Sequence, residues 1–167
     1  MFLTCMSRLN DYIEKVFLGL GVVLLSTFIV AVFLQVIARN YLHLPLMWTD
    51  EVAVISFIWS VFLGSAVAVR RKRHYTVELF PPNWIRTNAL LNVGSDVACF
   101  LLMYVMVHYG WSFTWMGFSR FSTALGIPKA YFFFSIPVSG LAMILFGIEV
   151  LQKDIRSVGK AFRGEKA

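Results

Sequence analysis

A single carboxylate, Asp96, lies deep inside an apolar run of this 167-residue chain. A carboxylate at such a depth is costly to keep in lipid, which makes Asp96 the first candidate for coupling ions or protons to a transport step. Asn88, Asn92 and Asp96 follow one another at four-residue spacing, with Ser95 and Cys99 close to the same face. A polar seam of that kind more often joins helices through interhelical hydrogen bonds than conducts ions, so packing is the preferred reading. Glu149 falls near the end of another apolar run, where water can reach it. Gln35, Arg39, Asp50 and Glu51 are brought together by a hairpin of about a dozen residues. Arg39 ends one apolar run and the two acids begin the next, where a carboxylate also suits the positive end of a helix. The expected pair is Arg39 with Glu51, read as a structural clasp in preference to a substrate contact.

Other chemistry is missing. His43 and His74 fall in loops and His108 near one end of an apolar run, so the facing histidine pairs that would hold a haem are absent. Metal-ligand spacings, nucleophile elbows and phosphate-binding glycine loops are absent as well. The sequence therefore reads as a non-enzymatic chain without a cofactor of its own.

The elements that must position these residues are apolar runs at 16–38, 52–69, 89–110 and 130–151. Each is close to the ~20 helical residues that cross a ~30 Å hydrocarbon core. The predicted fold is an all-α integral membrane protein, one domain over residues 1–167, with four transmembrane helices. A hydrophobic fraction of 59% exceeds the ~45–50% of an ordinary soluble domain, and the mean hydropathy is +0.73. If all four runs span, twelve of the fifteen Lys and Arg residues share one side with both termini, and only Arg39, Arg120 and Lys129 face the other. The positive-inside rule then places both termini in the cytoplasm. The basic residues sit in short juxtamembrane segments without interleaved stacking aromatics, which indicates phospholipid contact and excludes a nucleic-acid partner. Cys5 and Cys99, one terminal and one mid-span, define no disulfide framework.

Within this layout, residues 1–15 keep apolar positions at helical spacing, which predicts an amphipathic segment lying in the interface before the chain turns into its first span. The first run is too long for a signal-peptide core and is expected to remain as an anchor. The second run places Ser56, Ser60, Gly64 and Ala68 every four residues, a narrow face for close helix approach within this chain or with another. The segment from Trp111 to Lys129 reads as the longest outer loop. Its Trp111, Trp115 and Phe118, with Arg120, are an aromatic belt first and candidates for facing a partner second. Pro81 and Pro82 end any helix in the middle loop, and Trp84 anchors the start of the third run. Pro137 predicts a bend in the fourth, with Ser135, Ser139 and Gly140 nearby to relieve it.

The run from Gln35 to Phe80, QVIARNYLHLPLMWTDEVAVISFIWSVFLGSAVAVRRKRHYTVELF, resembles the small membrane subunit of tripartite ATP-independent periplasmic (TRAP) transporters, the DctQ-like family. The matching positions are Arg39, Pro45, Trp48, Glu51, Phe62, Leu63, Gly64, Arg70 and His74, and TALGIPKAYFFFSIPVSG, from Thr123 to Gly140, is similar to the family's approach to its fourth span. The dense RRKR at 70–73 departs from the pattern, in which fewer charges are expected, and leaves the alignment of Arg70 open by a residue or so. The resemblance implies a non-catalytic partner of a large permease subunit and a periplasmic substrate-binding protein. That partner would brace the permease's scaffold during sodium-coupled uptake of an organic acid such as sialic acid or a C4-dicarboxylate, with sodium held on the large subunit. Two other functions remain open on the residues alone. One is a self-sufficient four-helix transporter coupled through Asp96 or Glu149, and the other is a membrane anchor for an enzyme complex.

Overall fold

The computed structural model describes residues 2–71 and 85–163. His74, Pro81, Pro82 and Trp84 lie outside the described residues, as do the side chains of Asn88 and Asn92.

The first helix, α1 (Phe2–Ile37), runs for 36 residues without a break. At 1.5 Å per residue that is about 54 Å, well beyond the hydrocarbon thickness. The turn expected between an interfacial segment and the first span is not formed. No proline or glycine occurs before Gly19, and residues such as Leu, Met, Arg, Glu and Lys favour continued helix. One π-helical turn, Ala38–Leu42, closes this helix, and the Leu44 amide donates back to the Ala38 carbonyl at 3.0 Å. His43 takes a φ of 54°, the left-handed conformation that ends many helices.

The second helix, α2 (Met47–Arg70), starts two residues after Pro45. Thr49, wholly buried, donates through its hydroxyl to the Leu46 carbonyl at 2.6 Å and satisfies one group of the entry turn. The third helix, α3 (Ile85–Gly117), continues past the expected end of its span, so Trp111 and Trp115 stand on a helix and not in a loop. Thr114 turns its hydroxyl back to the Gly110 carbonyl at 2.8 Å, and the next proline is not reached until Pro128.

The connection 118–129 is compact. The Ser122 amide bonds to the Ile127 carbonyl at 2.9 Å and the Lys129 amide to the Arg120 carbonyl at 2.8 Å, around Gly126 at φ +66°. The short helix α4 (Ala130–Phe133) then leads through Phe134 into α5 (Ser135–Arg163). The discontinuity expected from Pro137 is at Phe134, because proline has no amide to offer the turn before it. Ser135 and Ser139 donate their hydroxyls to the Phe132 and Ile136 carbonyls at 2.9 and 3.0 Å beside this break.

Among the described residues four helices are long and apolar enough to cross a membrane, and the chain is a multi-pass all-α membrane protein. They stand in a row. The helix α1 packs mainly on α2, α2 on α5 and α5 on α3; α1 also touches α5, and among the described residues α1 and α3 do not meet. The core lies in the middle of the row, where Ala66, Val69, Met103, Ala142, Met143 and Phe146 are buried together. Contact of α3 with α4 and α5 is closest at glycines seven residues apart, Gly110 and Gly117 on α3 and Gly140 and Gly147 on α5. A Cβ at Gly117 would stand 2.7 Å from the Ala130 backbone, and one at Gly140 would stand 2.9 Å from Val107. Gly110 and Gly147 meet Ile136 and Phe100 in the same way.

Candidate functional site

Polar side chains gather at the two ends of the row. At one end the last turn of α2 places Arg70 between α1 and α5. Its guanidinium reaches Asp11 at 2.5 Å, Glu14 at 2.5 Å and Glu149 at 3.4 Å, while its side chain is only 10% exposed. Arg71 adds a second bridge to Glu14 at 2.6 Å, and the Asn10 amide donates to Glu149 at 2.7 Å. The Arg70 guanidinium also lies 5.6 Å above the Phe146 ring centre. One planar cation with five donors thus ties three helices, a geometry that lysine cannot reproduce. Glu149, expected within reach of water, is buried at 7% exposure in this cluster. The sequence offered a signal for it: Asp11 and Glu14, three residues apart on one helical face, share their side of the layout with Arg70. A count of positive charges alone passes over them.

At the other end Glu51, in the first turns of α2, turns toward the connection between α3 and α4. Its carboxylate accepts the hydroxyl of Ser122 and the amides of Thr123, Ala124 and Leu125, the last three at 2.9, 3.0 and 2.7 Å. The Thr123 hydroxyl adds a fifth donor at 3.2 Å. The expected pair of Arg39 with Glu51 is therefore not formed, because a loop distant in sequence brings a denser set of donors to the carboxylate. A clasp between the first two helices does exist, but it joins Gln35 to Asp50 at 2.7 Å. Arg39 is exposed and lines an open cleft in this hairpin. Pro45 lines the same cleft, and Trp48 is 46% exposed beside it.

Asp96 is 2% exposed, so its side chain is turned into the protein and not toward lipid. Cys99, half-buried one turn further on, is a free thiol. The small-residue stripe divides. Ser56 is buried, Ser60 and Ala68 are partly covered, and Gly64 is exposed with open space where a side chain would be. The close helix approach expected of this stripe is thus not made at Gly64 within the chain. Trp111, Trp115 and Phe118 are 60%, 72% and 53% exposed, and Arg120 is exposed with them. Among the described residues no cluster of three or more metal-ligating side chains occurs.

What these positions have in common is bracing: every dense polar contact joins one helix or loop to another. Residues 28–157 match the sequence model of the DctQ component of tripartite ATP-independent periplasmic transporters. The chain belongs to that family. A Haemophilus influenzae protein described as a TRAP transporter small permease is 25% identical over 164 residues, covering 96% of this chain and 98% of its own length. The sialic acid TRAP transporter small permease SiaQ of Vibrio cholerae is 22% identical over 152 residues, 89% of this chain and 85% of that protein. The sialic acid TRAP transporter permease SiaT of Haemophilus influenzae is 27% identical over 155 residues, which cover 90% of this chain but 24% of SiaT. The DctQ-family chain thus corresponds to a quarter of a longer permease in that relative, and to nearly the whole of the small permease relatives.

Proposed function

We propose that this small permease component braces the scaffold of a large permease subunit while an organic acid, delivered by a periplasmic binding protein, is taken up with sodium. The observation that carries the proposal is the SiaT match, in which a segment similar to this chain is joined to a much longer permease sequence. Physical features support it. A row of helices leaves broad faces open: on α1, Val22, Val23, Ile29 and Phe33 are 58–65% exposed. An element meant to hold still beside a moving neighbour needs stiff internal joints, which the Arg70 and Glu51 clusters supply. In this reading sodium and substrate belong to the large subunit. The twelve-to-three distribution of basic residues supports an orientation with the Arg70 end in the cytoplasm and the Glu51 end in the periplasm. The loop 118–129 and the hairpin at Arg39 then face the compartment of the binding protein.

Co-purification with a large TRAP permease subunit of the same organism, followed by uptake into liposomes, tests the proposal. Sodium-dependent uptake is expected only with both membrane subunits and the cognate binding protein present. Transport by this chain alone, abolished by Asp96→Asn, would overturn it in favour of a self-sufficient carrier. Reporter fusions at residue 44 and residue 125 are expected to report the periplasm.

A further inference from the structure

The hairpin between α1 and α2 holds a charged cleft in which, among the described residues, only the Gln35–Asp50 clasp joins the two helices through side chains. Gln35, Arg39, His43, Leu44, Met47 and Asp50 are among the residues around about 450 Å³ of open space. Two acids stand near enough in sequence to neutralise Arg39, and both are engaged by uncharged donors. Asp50 Oδ1 accepts the Gln35 amide, and Glu51 is turned to the loop at 122–125. Among the described residues the side chains of Arg39 and His43 have no hydrogen-bond or ion-pair partner, and Asp50 Oδ2 has none either. The cleft thus offers a permanent cation, an imidazole and an open carboxylate oxygen side by side. Its lining includes exposed apolar residues, Leu44 at 55% and Met47 at 67%, and their neighbours in the chain Tyr41, Leu42 and Trp48 are 79%, 60% and 46% exposed.

We propose that this cleft seats the headgroup of a zwitterionic aminophospholipid, with the phosphate on Arg39 and His43 and the ammonium on Asp50. The guanidinium fork matches phosphate oxygens with parallel charge-assisted bonds. The carboxylate distinguishes a headgroup carrying an amine from one carrying only hydroxyls, because an ammonium both neutralises it and donates to its open oxygen. Gln35 holds that carboxylate in place without cancelling its charge. A soluble phosphate ester bearing an amine has the same chemistry, but these exposed apolar residues favour the lipid: Trp, Tyr and aliphatic side chains at a helix end suit headgroup depth. The proposal is independent of the transport reading, since it needs only that the hairpin lie at a membrane surface.

The test uses the full-length protein, purified and delipidated in detergent, with lipid retention followed by native mass spectrometry. The probes are phosphatidylethanolamine and phosphatidylglycerol of the same acyl chains, and free O-phosphoethanolamine. Wild-type protein is expected to retain phosphatidylethanolamine at about tenfold lower concentration than phosphatidylglycerol. Arg39→Gln should weaken retention of both lipids. Asp50→Asn keeps an acceptor for Gln35 and should erase the preference while phosphatidylglycerol still binds. Arg120→Gln, on the neighbouring loop, should change neither, and thermal melts confirm that each variant remains folded. Equal retention of the two lipids by wild type would overturn the proposal, as would retention undiminished by Arg39→Gln. O-phosphoethanolamine displacing the lipid at equal concentration would reassign the cleft to a soluble ligand. Retention of neither lipid, with a photocrosslinker at position 43 capturing the permease, would reassign it to a protein contact and overturn the lipid reading.

Discussion

Arg70 and Glu51 hold opposite ends of the row in different ways. Arg70 is a nearly buried cation shared among Asp11, Glu14 and Glu149, so its removal takes a cation away from all three carboxylates at once. Breaking one side of such a cluster costs about 3 kcal/mol or more. Arg70→Ala is expected to lower stability by that amount in detergent unfolding. Arg70→Lys should recover only part, because one ammonium cannot span three carboxylates on two helices. Glu149→Gln, which can still accept from Asn10, should cost less than Arg70→Ala. Glu51 works on backbone: it orders a loop by accepting three consecutive amides. Glu51→Ala is expected to accelerate hydrogen exchange at Thr123, Ala124 and Leu125 by about tenfold or more while the helices keep their protection. Unchanged exchange at those amides would show that the loop is ordered by its own turn.

Among the elements, α3 and α5 meet where glycine leaves room, and α2 carries a glycine where no neighbour comes near. Gly117→Ala forces a backbone shift against Ala130 and is expected to cost about 1–3 kcal/mol, the usual penalty of overpacking. Gly64→Ala meets nothing within the chain and should leave the isolated subunit as stable or slightly more so, since alanine is the better helix former. Thermal unfolding of the two variants side by side checks this contrast. The four-residue spacing of Ser56, Ser60, Gly64 and Ala68 was a legible pattern, yet it does not say which neighbour uses it. The glycines that do make close contact on α3 and α5 repeat every seven residues, a sparser signal that passes unnoticed beside the four-residue stripe.

For the whole molecule, the row arrangement predicts what can be crosslinked. Cysteine pairs placed across α1 and α2 should form a disulfide readily, and pairs across α1 and α3 should not, because α2 and α5 stand between them. A closed four-helix bundle would give both. The exposed face around Gly64 belongs to assembly in the proposed function. Gly64→Leu is expected to reduce the permease recovered on co-purification several-fold without changing the melting of the isolated chain. Loss of both together would mean that the face is needed for the subunit's own fold.

Sequence alone determined the number of membrane-length helices and the family, because hydropathy over ~20 residues is a one-dimensional property of the chain. It also picked out Arg39, Glu51, Gly64, Arg70 and Asp96 as residues of consequence. Their partners were decided only in three dimensions. Glu51 is paired with residues more than seventy positions away, and Asn10 with Glu149 across 139. Charge proximity along the chain pointed instead to Arg39, fifteen residues or fewer from both acids. A carboxylate goes to the place that offers it most donors, and such a place exists only once α3, its loop and α5 have folded back against α2. The continuous α1 has the same origin: residues 1–15 have an amphipathic pattern, but Arg70 gives their acidic face a partner in line with the span.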